Sequence, residues 1–295
     1  MRFYRVYVEL TNACGLKCSF CPSQTLPTQS MELDFFESTI AQIAPYTKEV
    51  ACHVMGDPLT LSSLSDYLDI LSKYKLKALL TTSGYFLKKQ TYETLFHPAV
   101  KQINISLNSF NKNTTALTLT QYLQPIEALL EEQLRRGSPL FINLRLWNID
   151  EAMSERNFNE AIFQAFSPLC DTPLSYERFL KNPVKSLRLA SKILLHFDHY
   201  FEWPSLNNNV YGDGTCQGLQ SHIGILADGS VVPCCLDGEG VMRLGNLHEL
   251  SLKEILQLPR TRAIIEGFLE GKAVEELCQK CSYKSRFNQE ERGCL

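Results

Sequence analysis

Six short apolar runs, each leading into a segment of a different periodicity, fill roughly the first two hundred residues. They lie at residues 3–10, 49–55, 77–82, 102–107, 140–147 and within 192–203, where Pro204 closes the last. Strand-like runs that alternate with helical segments need crossover connections, and crossovers make a parallel sheet. Asp34-Phe35-Phe36-Glu37 reads as a capping box for a helix whose apolar face is Phe36, Ile40 and Ile43, ended by Pro45. Further helices are expected at 63–74, 91–96 and 121–136, the last stopped by Gly137, and from Ser154 as cap to Phe166. Residues 168–188 read as irregular.

After Pro204 the alternation stops, and Asn207-Asn208-Asn209 and Gly212-Asp213-Gly214 read as linker. The expected boundary therefore falls between residues 205 and 206. Beyond it, runs at 223–227 and 230–235 flank Asp228-Gly229, a hairpin turn signature. Short helices are expected at 252–258 and 260–269.

The loop after the first run carries Cys14, Cys18 and Cys21 at C-x3-C-x2-C spacing. A closed structural zinc site wants four protein ligands, whereas three cysteines on a cubane leave one iron open. Eleven cysteines in a chain with no apolar export segment favour reduced thiols and metal ligation over disulfides. A second group is Cys216, Cys234 and the pair Cys278-x2-Cys281. Taken alone, that group also fits a zinc ribbon. Cys52 and Cys170 read as buried, and Cys235 and Cys294 as spare ligands or substrate-facing thiols.

A net charge of -3 and a pI near 6.1 give no basic field for nucleic acid, and no segment reaches membrane-spanning length. A soluble, cytoplasmic monomer is expected. Lys280, Lys284, Arg286 and Arg292 read as a solvated basic face. His196 and His199 form no ligand or base–nucleophile pattern and read as structural, and Trp147, Tyr200, Phe201 and Trp203 as core or mouth.

Loops at the C-terminal ends of parallel strands are where such folds place function. After the second run comes Met55-Gly56-Asp57-Pro58, after the third Thr81-Thr82-Ser83-Gly84, and the fourth contains Ser106. Together with the cysteine loop and Phe20 before its third cysteine, this ordered set resembles the radical S-adenosylmethionine (SAM) superfamily. The resemblance implies an α/β fold, a partial (β/α)6 radical SAM barrel over residues 1–205. It also implies that Cys14, Cys18 and Cys21 ligate a [4Fe-4S] cluster whose open iron chelates SAM. Gly56 and Asp57 are carried over as cofactor-binding through backbone groups, although the family usually has Glu at the second position. Ser83 stands where the family often has Asn to meet the ribose. Ser106 and Arg145 match positions for the SAM carboxylate, with pairing to an internal carboxylate as the alternative for Arg145. The C-x12-G-x4-C spacing from Cys216 through Gly229 to Cys234, with Cys278 and Cys281, is similar to Twitch or truncated SPASM extensions. That implies a small α+β domain over 206–295 holding one auxiliary [4Fe-4S] cluster.

The reaction so implied is reductive cleavage of SAM to a 5'-deoxyadenosyl radical that abstracts a substrate hydrogen. A flavodoxin or ferredoxin would supply the electron. The expected substrate is a peptide or protein side chain, the alternative a small-molecule alcohol dehydrogenation, with RNA modification or an iron–sulfur scaffold ranked below. Asp213, Cys235 and Asp237 are the candidates for substrate acid or base. Only thirteen residues precede Cys14, so no leader-recognition domain is expected ahead of it.

Overall fold

A computed structural model describes residues 2–22 and 25–287. Arg292 and Cys294 lie outside the described residues. In chain order the strands are β1 (Arg5–Val8), β2 (Glu49–Ala51), β3 (Lys77–Thr82), β4 (Val100–Ser106), β5 (Phe141–Leu146), β6 (Ser186–Ala190), β7 (Ile193–Phe197), β8 (His222–Ile225), β9 (Ser230–Val232) and β10 (Gly245–Asn246). The helices are α1 (Leu33–Ile43), α2 (Leu64–Lys73), α3 (Tyr92–Leu95), α4 (Asn108–Asn111), α5 (Leu119–Arg136), α6 (Arg156–Phe166), α7 (Tyr176–Lys181), α8 (Leu252–Ile255), α9 (Pro259–Leu269) and α10 (Glu276–Gln279). The chain forms two compact units, one of Met1–Gly15, Cys21–Ala78 and Phe201–Leu295, the other of Leu16–Phe20 and Leu79–Tyr200.

In the first unit β1 pairs in parallel with β2, Val6 opposite Val50. Its other edge takes β8, also in parallel, with Val6 opposite Ile223 and Tyr7 opposite Gly224. The expected hairpin is present, β8 antiparallel to β9, but it is not confined to a separate C-terminal layer. Pairing with β1 satisfies a row of backbone groups that would otherwise remain as an open sheet edge. At the hairpin turn Gly229 has φ +83, and a Cβ there would stand 2.8 Å from the Phe35 ring.

In the second unit β4, β5 and β7 run in parallel, and β6 adds an antiparallel edge to β7. The β6 strand begins in the stretch read as irregular and runs two residues past it. Its alternation is weak because only one of its five residues is fully buried. Helix α5 follows its signals closely: Thr118 and Gln121 form a reciprocal capping box, and Gly137 closes the helix in the left-handed region. Tyr122, Leu123, Ile126, Leu129 and Leu130 are buried along one face, each contributing about 1.5–3 kcal/mol of apolar transfer. Ile126→Ala would cost about 2–5 kcal/mol.

Two expected caps are not made. Helix α1 starts one residue before Asp34, with Glu32 at the cap position and no side-chain bond there. Asp34 instead sits in the first turn, where its charge complements the helix dipole. Helix α6 starts after Glu155, and Ser154 Oγ donates to the carbonyl of Glu151.

Candidate active site

In the first unit, the Gly56 loop closes on the segment that leads into Cys14. Gly56 has φ +72, and a Cβ would lie 2.2 Å from the Thr11 carbonyl oxygen and 2.8 Å from Asn12 backbone atoms. Only glycine permits that approach. The Asp57 amide donates to the Ala13 carbonyl at 2.9 Å. The Asp57 carboxylate, 1% exposed, accepts from the Leu59 amide at 3.0 Å and caps the turn Pro58–Thr60. Aspartate is the better cap because its oxygen reaches the amide two residues on. A buried carboxylate that the sequence did not single out, Glu9, accepts from the Met55 amide at 2.8 Å and the Ala227 amide at 3.0 Å. Burial raises its pKa, against the two backbone bonds that favour the charge. Cys14 is half-buried and Cys21 exposed.

In the second unit the other limb of the cysteine loop is tied to the residues after β4. Lys17 and Ser19 donate their amides to Asn113 Oδ1 at 3.3 Å and the Lys112 carbonyl at 2.8 Å. Buried Cys18 places Sγ 3.9 Å from the Ser109 carbonyl. Phe20 lies 5.9 Å from the Tyr200 ring, and Lys112 Nζ stands 5.0 Å above that same ring. Lys112 also pairs with Glu151 at 2.6 Å and Glu155 at 2.5 Å, and Asn111 donates to Glu155 at 2.7 Å. Ser83 Oγ accepts from the Tyr85 amide at 3.4 Å, while its carbonyl accepts from Tyr122 Oη at 2.7 Å.

Ser106, Arg145 and His196 are directly opposite one another across β4, β5 and β7. Register therefore puts their side chains in one row on one face. Arg145 stacks on the Trp147 ring at 4.6 Å, and Trp147 Nε1 donates to His196 Nδ1 at 3.0 Å. That bond requires neutral imidazole with its proton on Nε2. Burial and then the Arg145 charge lower the His196 pKa. Read as structural from spacing, His196 is thus a member of the row opposite Arg145. Only the register shows it, since Ile193-Leu194-Leu195-His196-Phe197 has no polar alternation.

The C-terminal cysteines converge. Burial is the first cause of a raised pKa at Cys216, Cys234, Cys278 and Cys281. Neighbouring thiolates add to it: Cys281 acts on Cys216, Cys216 and Cys278 on Cys234, and Cys216 and Cys281 on Cys278. Cys278 Sγ also lies 3.4 Å from Met242 Sδ. Among the described residues no three His, Cys, Asp or Glu donors are drawn tightly enough around one point to hold a single metal ion. Four cysteines are the donor number of a [4Fe-4S] cubane, so the residues present fit such a group.

Candidate acids and bases are otherwise employed. Asp237 is 2% exposed and accepts from the Val241 and Met242 amides, both at 2.8 Å, and Asp213 accepts from the Ala273 amide at 3.1 Å. Cys235 hydrogen-bonds the Tyr7 phenol, and burial pushes its thiol up to about 11. The Tyr7 ring meets His53 and His222 edge-on at 5.5 and 5.7 Å, and burial with Arg5 pushes His222 down to about 4. Cys52 is buried as expected, its thiol pushed up to about 12, whereas Cys170 is half-buried.

The sequence matches the radical SAM superfamily over residues 8–151 and an iron–sulfur cluster-binding domain, SPASM, over 216–282. Residues 8–151 are a radical SAM domain. Radical SAM enzymes work with SAM and a [4Fe-4S] cluster, and a SPASM domain adds an auxiliary iron–sulfur cluster. A curated relative, the GTP 3',8-cyclase of Aliarcobacter butzleri, is 28% identical over 145 residues, 46% of this chain and 44% of that one. The match thus spans less than half the length of that relative. Among solved structures, BtrN in complex with AdoMet and 2-DOIA has TM-score 0.62 at 16% identity, covering 96% of this chain and 94% of BtrN. Streptococcus suis SuiB bound to precursor peptide SuiA has TM-score 0.61 at 15% identity, covering 97% of this chain and 73% of SuiB. The fold is therefore the radical SAM partial barrel. No helix among the described residues is long and apolar enough to cross a membrane.

Proposed function

We propose that this radical SAM enzyme holds its SAM-binding [4Fe-4S] cluster on Cys14, Cys18 and Cys21 and one auxiliary cluster on Cys216, Cys234, Cys278 and Cys281. Its reaction is the oxidation of a peptide or protein side chain. The observation that carries this reading is the gathering of four half-buried cysteines, from three separated stretches of chain, within electrostatic reach of one another. When bound, SAM on its reduced cluster supplies the 5'-deoxyadenosyl radical that removes a hydrogen atom, and the auxiliary cluster supplies a site for the electron that leaves with a proton.

The chain's own residues bind and orient. Gly56 lets backbone approach the SAM amine, and Asp57 fixes that backbone by capping it. Ser106 and Arg145 share a face, where a hydroxyl and a planar guanidinium suit a carboxylate. Phe20 and Ser83 complete the SAM contacts.

SuiB, whose solved complex contains a precursor peptide, supports the peptide reading. A second reading, a small polar molecule, is favoured by a cluster of amide side chains on β4 and β5 of the second unit. There Asn104 accepts from Gln102 at 2.7 Å and Asn143 at 3.3 Å and donates to Thr81 at 3.2 Å. BtrN, of similar length and solved with 2-DOIA, supports that alternative.

Anaerobic reconstitution tests the proposal. About eight iron and eight sulfide per chain are expected, two cubanes, with 5'-deoxyadenosine formed on reduction in the presence of SAM. Stoichiometric zinc in place of iron, or no SAM cleavage under strong reduction, overturns it. Mass spectrometry of a peptide pool and of a deproteinised extract, each turned over with the enzyme, separates the two substrate classes by which one loses two hydrogens.

A further inference from the structure

Lys284, read from sequence as part of a solvated basic face, is 4% exposed. A buried ammonium is costly unless it is both hydrogen-bonded and neutralised. The bonds are complete. Nζ donates to the carbonyl oxygens of Cys278 at 3.0 Å, Gln279 at 3.3 Å and Cys281 at 3.0 Å. All three acceptors belong to the turn that carries the C-x2-C pair. The charge is another matter, since among the described residues no carboxylate lies within ion-pair distance. Burial lowers its pKa, and the groups that favour the ammonium are the cysteines Cys281, Cys278 and Cys216, two of which lend it their carbonyls, then Asp213. The neighbouring Lys280 behaves differently, pairing with Glu276 at 2.9 Å.

A cation fixed in this way suits an anionic partner that those cysteines bring. We propose that Lys284 is the built-in counter-cation of the auxiliary cluster, holding the Cys278–Cys281 turn by its three hydrogen bonds and raising the cluster's reduction potential by its charge. The inference rests on the assignment of the four C-terminal cysteines as ligands. Adding an electron makes the cluster more negative, so a fixed positive charge beside it favours the reduced form. In this role Lys284 is a positioning and tuning residue, one that acts on substrate only through the cluster.

The test is an EPR-monitored redox titration of the reconstituted full chain, as wild type, Lys284→Met and Lys284→Arg, with iron and sulfide counted in each. Lys284→Met should shift the auxiliary midpoint negative, lowering the reduced fraction at a fixed potential about tenfold, which is about 59 mV for one electron. Lys284→Arg should stay near wild type, and the SAM-binding cluster should not move in either. An unchanged midpoint in fully loaded Lys284→Met, or an equal shift in Lys284→Arg, overturns the proposal. If Lys284→Met loses the auxiliary iron, Lys284→Gln is added. Loss from both neutral variants with retention in Lys284→Arg supports the proposal, and loss from all three overturns it. A wild-type chain that loads only one cluster would instead defeat the ligand assignment itself.

Discussion

The cysteines that follow β1 and those of the C-terminal segment occupy loops of opposite construction. The first loop is tethered through its backbone, by Ser19 to Lys112, Lys17 to Asn113 and Ala13 to Asp57, and its thiols are graded from buried Cys18 to exposed Cys21. The second group is uniformly half-buried, desolvation raises all four thiols, and a lysine is buried beside them. The first set thus varies in exposure along a loop held by backbone, while the second is even in exposure and gathered around a buried lysine.

If that contrast is functional, removing a donor from each set should separate two activities. Cys18→Ala should abolish 5'-deoxyadenosine formation while keeping about four iron per chain. Cys234→Ala should also keep about four iron, and should still cleave SAM while losing product. Iron analysis with a chromatographic assay of 5'-deoxyadenosine reads both. Loss of all iron from either variant would break the comparison, because the two sets would then be one assembly.

The next largest effect concerns the backbone tether. Gly56→Ala puts a methyl 2.2 Å from a carbonyl oxygen at φ +72, and neither atom is the end of a flexible side chain. A loss of about 2–4 kcal/mol is expected, with SAM affinity lowered at least tenfold by equilibrium dialysis on the reconstituted protein. An alanine variant that binds SAM normally would mean the loop can retreat, and that tethering is not what shapes this site.

What could be read in advance divides along similar lines. Strand β3 matches its expected span residue for residue, and the α5 signals of cap, face and stop all hold, because period and capping are local properties. The strand-end motifs were legible for the same reason, each following directly on its strand. Lys284 was not, since its burial depends on carbonyls of a turn whose path no sequence window contains. Nor was the parallel seam between β8 and β1, which joins residues more than two hundred positions apart. Asp237 is the opposite case. A carboxylate near cysteines suggests chemistry, and here both oxygens are occupied by the amides of its own loop.

A smaller effect is expected from the network behind the Cys18 limb. Burial alone would raise the Glu155 pKa, but bonds from Asn148, Lys112 and Asn111 outweigh it and hold the carboxyl below its ordinary 4.5. Its folded value is therefore the lower one, so its contribution is present above pH 4.5 and fades as pH falls through the depressed folded value. Glu155→Gln should cost about 1–3 kcal/mol near neutrality, and the loss should shrink on acidification. Melting temperatures of wild type and variant from pH 7 down to about pH 3 should converge. Curves that remain parallel would show that the amide replaces the carboxylate in every contact, leaving the limb held by backbone alone.

The smallest effect decides what the Asp57 side chain contributes. As a cap on the Leu59 amide it should be worth about 1 kcal/mol, and asparagine, also a good cap, should replace it with little loss. Glutamate restores the family's usual residue but carries its oxygens one methylene too far for the same turn. Asp57→Asn should therefore keep both melting temperature and SAM affinity, while Asp57→Glu should lower melting slightly and leave affinity within about threefold, under 1 kcal/mol. Should Asp57→Asn keep its melting temperature yet lose SAM affinity tenfold, the carboxylate charge would be acting on the cofactor directly. The front loop would then be shaped by a side chain as well as by backbone, and the contrast with the C-terminal cysteines would narrow to burial alone.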